Sequence, residues 1–155
     1  MKNLDLIILI NAGILNITNN DLPAASAYKV VKLRNVLSKA FEKLQELERD
    51  LLKDKNVDDP QKFNQEIETL RNKEDKTEED EAKLKELTEK FDDYINARTE
   101  FLNDDTPLEG IKTISYEDWH TLRKENRPKD GNNEILNNYV ESILENVFWK
   151  APEDE

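Results

Sequence analysis

Between residues 22 and 54 apolar side chains return every seven positions. Val30, Leu37, Leu44 and Leu51 form one line, and Leu33, Ala40 and Leu47 form a second line beside it. Two adjoining lines at heptad spacing predict one long amphipathic helix over 22–55, about 48 Å from end to end. A thin rod cannot cover its own seam, so it needs a partner. Leu84, Leu87, Phe91, Tyr94, Ile95 and Phe101 supply a second apolar arm. The pattern therefore predicts an antiparallel hairpin in which 22–55 pairs with 78–103. Leu37, Leu44 and Leu51 are expected to meet Leu84, Leu87 and Phe91.

Shorter elements fill the rest. Residues 4–16 read as a helix with an apolar stripe of Leu4, Ile7, Ile8, Asn11 and Leu15, although Ile8 and Ile10 would also suit a strand. Asn16 to Asp21 is a turn by composition, and Leu22-Pro23 opens the long helix, with Asp21 or Leu22 at its cap. Asp58 or Asp59 caps a helix over 59–74, with Pro60 in its first turn and Phe63, Ile67 and Leu70 on one side. Thr77 with Asp80 reads as a weak capping box for 78–103, which Asp104 to Pro107 ends. Leu108 to Ser115 suits a short extended segment. Ser115 to Asp118 is a second capping box, ahead of a helix over 116–126. Residues 127–133 read as a loop and 134–149 as a last helix, with Ala151-Pro152 and an acidic tail after it. Residues 4–16, 116–126 and 134–149 are expected at the base of the hairpin and 59–74 near its tip. The expected fold is all-α, with a minimal β element at most, as a single domain over 1–155 that includes a C-terminal subdomain at 108–149.

Composition supports that reading. Charged residues make up 37% of the 155 and apolar ones 36%, which suits solvated helices. Three glycines are too few for the turns of an all-β sandwich. The net charge of −12 is unevenly spread: +3 over 1–45, −10 over 46–105 and −5 over 106–155. An acidic middle does not suit a phosphate backbone, so no nucleic-acid partner is expected. It reads as a solvated face or as a decoy for a basic partner. The apolar start is interrupted by Asp5 and Asn11. It reads as a buried first element with a free N-terminus, neither a signal peptide nor a membrane span.

Chemistry is sparse. Cysteine is absent, which removes disulfides and thiolate metal sites. His120 is the single histidine and reads as a surface or structural residue. Carboxylate runs at Glu78 to Glu81 and Asp92-Asp93 place neighbours about 100° apart on a helix, so they do not converge on one ion. Glycine-rich phosphate loops and the nucleophile-elbow pattern are missing. No catalytic residue, cofactor or metal is expected, and the chain reads as a non-enzyme. Arg98 falls on the seam of the second arm. Either its stem covers apolar surface or its head pairs with Glu46 or Glu48. Trp119, Tyr139, Phe148 and Trp149 gather toward the C-terminus. They form either a mini-core at the base of the hairpin or an aromatic anchor at a protein interface, with Phe148-Trp149 the preferred contact.

Leu22-Pro23, then Ala27-Tyr28-Lys29-Val30-Val31-Lys32-Leu33, the return arm 91–102 and Ile111 to Ser115 follow one another in order. This succession resembles a family of short helical proteins from bacteriophages and prophages. The first half matches best, whereas the middle over 57–89 is longer and the C-terminal helix is added. The resemblance implies a phage origin and carries no activity. The expected function is a phage interaction protein, virion-associated or an assembly factor, working through contacts with itself or with a phage or host protein. It is placed in the host cytoplasm or the virion, without membrane attachment. The alternative is an acidic inhibitor or decoy that fills a basic site on a host defence or nucleic-acid-binding protein.

Overall fold

A computed structural model describes residues 1–126, 135–145 and 147–150. Six helices are present among them: α1 (Asn3–Asn11), α2 (Ala24–Asp54), α3 (Pro60–Arg71), α4 (Glu78–Asn103), α5 (Tyr116–Glu125) and α6 (Asn138–Leu144). Their extended pairings are isolated bridges, so the fold is all-α as expected. The expected loop over 127–133 and the tail lie outside the described residues. The chain forms two compact units, residues 1–43 with 105–155 and residues 44–104. The boundary falls inside α2.

In the first unit, α1 is shorter than the expected 4–16. Gly13 takes a left-handed φ of 87° and the chain tightens into a 3-10 turn at Ile14–Asn16. The buried side of α1 is Asn3, Leu6 and Leu9, and Leu4 is exposed. Because α1 is apolar nearly all round, periodicity could not choose its inward face. The Pro23 carbonyl accepts the first helical bonds of α2, from Ser26 and Ala27, so Pro23 sits one step before the helix. Val30, Leu33 and Leu37 are fully buried. Polar ties fix this end of α2: Arg34 donates to the Ile17 carbonyl at 3.2 Å, Lys29 to the Thr113 carbonyl at 2.9 Å, and the Ser26 hydroxyl to the Asp118 carboxylate. The turn before α2 hangs on the end of α5. Asn126 is buried; its side-chain oxygen accepts the Thr18 N–H at 2.8 Å, and its amide donates to the Thr18 carbonyl at 2.8 Å.

The C-terminal part departs most from expectation. The last helix covers Asn138–Leu144, with Asn137 capping it from the side chain. The expected span 134–149 exceeds it at both ends: the described residues 135–137 before it and 147–149 after it are not helical. Phe148 N–H bonds back to Leu144, and the Phe148 carbonyl accepts from Ile114 at 2.9 Å. Among the described residues, the extended segment before α5 pairs only through the parallel bridge between Ile114 and Trp149.

In the second unit, α4 runs antiparallel to the end of α2. Arg98 Nε lies 3.4 Å from Glu48 Oε1, and Lys55 Nζ lies 3.0 Å from Asp93 Oδ2. The Arg98 head pairs with Glu48, as one of its two readings has it. The other half of α4 faces α3: Phe91 stacks on Phe63, and Lys83 pairs with Glu66 at 2.8 Å. Leu84 and Leu87 thus lie along the α3 stretch, whereas the end of α2 meets α4 from Asp93 onward. Thr77 and Asp80 form a complete capping box. Ser115 forms only half of one, because the Asp118 carboxylate is taken by Ser26.

Candidate contact surfaces

The aromatic cluster belongs to the first unit. The rings of Trp119 and Trp149 stack with centroids 4.9 Å apart and 12° between planes. Trp119 is 2% exposed, Phe148 0% and Trp149 8%. α5 presents Trp119 inward beside Leu122, while the bridge to Ile114 holds Trp149 in place. These three rings fill a mini-core. Tyr139, the fourth residue singled out from sequence, is 55% exposed on α6. Tyr116 lies at the edge of the stack, 6.0 Å from Trp149, with the exposed His120 ring edge-on to it at 5.0 Å. Among the described residues no three His, Cys, Asp or Glu side chains come close enough together to hold a metal ion. No helix among them is long and apolar enough to cross a membrane.

Sequence reasoning passed over the outer side of α2 in this unit. Tyr28 is 61% exposed, with the Lys32 ammonium 5.6 Å from its ring centre. Val31 lies one turn further along. It lines an open groove of about 330 Å³ with Leu15, Arg34, Asn35 and Ser38. The available signal was the pair Tyr28 and Val31 at i, i+3, off both seam lines.

In the second unit the apolar side of α4 is three columns wide. Leu84 and Phe91 make one, Leu87, Tyr94 and Phe101 the next, and Thr88, Ile95 and Leu102 the third. Tyr94 is 4% exposed and its hydroxyl pKa is raised by burial, whereas Ile95 beside it is 41% exposed. On α2, Leu44 is buried and Leu47 is 46% exposed. Only Leu44, Val57, Ile67 and Tyr94 are buried apolar side chains in residues 44–104. Those residues hold 11 basic and 20 acidic side chains, a net −9.

No family model matches the chain, and no curated protein or solved structure does either.

Proposed function

We propose that this is a non-enzymatic interaction protein of a bacteriophage or prophage, virion-associated or an assembly factor, acting through protein–protein contacts in the host cytoplasm or the virion. The observation that carries the reading is the incomplete cover of the 44–104 unit. Leu47 and Ile95 stand open on helices whose neighbouring columns are packed. An apolar column left uncovered beside a packed one is a place for one more helix, from a second copy or from a larger partner. The order of Leu22-Pro23, Ala27 to Leu33 and Ile111 to Ser115 supports the phage origin. The test is the mass of the protein in solution together with its presence in purified phage particles. Association or incorporation is expected. A strict monomer that is absent from particles and recovers no phage or host partner overturns the reading.

A second reading is an acidic inhibitor or decoy that occupies a basic site on a host defence or nucleic-acid-binding protein. The net −9 of residues 44–104 favours it. Its mark is partner binding that weakens steeply as salt is added.

A further inference from the structure

We propose that the side of α2 and α4 around Leu47 docks a basic amphipathic helix of a partner protein. The proposal rests on the reading of 44–104 as a contact unit and names the chemistry of what it contacts.

Leu47, Asp50 and Asp54 recur at i, i+3 and i+7 along α2, so they share one face. Asp93, Ala97 and Glu100 do the same at i, i+4 and i+7 along α4, and Asp104 caps that helix. Lys55 shows that the two rows lie on the same side. Its ammonium reaches Asp93 at 3.0 Å, and its pKa is raised first by that bond, then by the charges of Asp93, Asp54 and Glu100. Asp50, Asp54, Asp93 and Glu100 are all exposed, Ala97 and Phe101 are half-buried, and Leu47 stands open. The result is an apolar strip with a carboxylate row on each flank.

The rows decide between occupants. A second 44–104 unit laid on this strip would bring like charge against like. A helix with an apolar line flanked by Lys or Arg every three to four residues puts cations opposite Asp50, Asp54 and Glu100, Asp93 being held by Lys55, with its apolar line on Leu47. The column of Thr88, Ile95 and Leu102 on α4 and that of Gln45 and Leu52 on α2 carry no carboxylate.

The test uses the full chain and a synthetic amphipathic helix built of Lys and Leu, titrated by fluorescence anisotropy. Asp50→Lys/Asp54→Lys should weaken binding about tenfold or more, from two lost attractions and two new repulsions. Glu74→Lys/Asp75→Lys changes net charge by the same amount away from the strip and should leave affinity within about threefold. Leu47→Ser should weaken binding with no change in charge. Circular dichroism checks that each variant keeps its helices. Amide shifts on titration should centre on Leu47, Asp50, Ala97 and Glu100. Equal weakening by both charge variants, or no weakening by the first, overturns the proposal. Shifts centred on Leu52, Ile95 and Leu102 overturn it too, yet leave the contact reading standing. A wild-type assembly of several copies with no peptide binding has the same meaning.

Discussion

Phe91 of α4 lies flat on Phe63 of α3, with ring centroids 5.9 Å apart and 15° between planes. That stack fixes which part of α4 serves α3 and which part serves α2. Both rings are half-buried, and Lys90 sits over the Phe63 ring at 5.6 Å. Phe91→Ala should cost about 2 kcal/mol, below the cost for a fully buried ring. A double-mutant cycle with Phe63→Ala should return a coupling of roughly 0.5–1.5 kcal/mol. Chemical denaturation of the four proteins measures both values.

Asn126 holds the turn before α2 through its amide group. Besides its two bonds to the Thr18 backbone, its oxygen accepts from the Thr18 hydroxyl at 3.2 Å, and its nitrogen donates to Leu122 at 2.8 Å. Asn126→Ala leaves the Thr18 backbone groups without these part-buried bonds and should destabilise by about 1–2 kcal/mol. Asn126→Asp keeps the acceptor and loses the donors, so it should also destabilise. A stability change below about 0.5 kcal/mol for the alanine variant would contradict this role.

The hydrogen bond from Lys73 holds the Asp80 carboxyl well below the usual range, at about 2, with help from the Thr77 N–H. A carboxyl held lower in the folded chain than in the unfolded one stabilises above about pH 4, and that support is lost as pH falls toward about 2. An NMR titration should find Asp80 ionised through pH 3. Lys73→Met should move its midpoint upward, toward the ordinary carboxyl value.

Both tryptophans of the chain lie in the first unit, in the Trp119–Trp149 stack. Tryptophan fluorescence therefore reports that unit, while far-UV circular dichroism reports all helices. With four buried apolar side chains in 61 residues, the 44–104 unit should unfold at lower denaturant. The circular-dichroism curve should begin to fall before the fluorescence curve. Phe148→Ala should shift the fluorescence curve by about 3–5 kcal/mol, because that ring is fully buried.

Local signals in the sequence read well where one residue type enforces one conformation. Asp59 with Pro60, Thr77 with Asp80, and Ser115 each open the helix that follows them. Long-range choices were not legible. Leu84, Leu87 and Phe91 keep one spacing whether α2 or α3 lies across from them, so heptads alone could not set the register. Asn126 looked like a helix end, and only the fold brings Thr18 to it across 108 positions. The end of the last helix was missed because the backbone turns extended at Glu145, with a ψ of 138°, and beyond it the Phe148 carbonyl accepts from Ile114. As contacts, Trp119, Phe148 and Trp149 are closed off by burial, and Tyr139 remains open. Leu47 was assigned to the seam, yet it faces outward, because α2 enters a second unit with a thinner core.

The most direct measurement is the solution mass of the wild-type chain and of Leu47→Asp/Ile95→Asp, each alone and mixed with the Lys–Leu peptide. The wild type should exceed the 18.2 kDa of one chain in at least one condition, and the double variant should stay at one chain in both with its helix content intact. A wild type that remains at 18.2 kDa throughout, or a variant that associates as well as the wild type, would contradict the account.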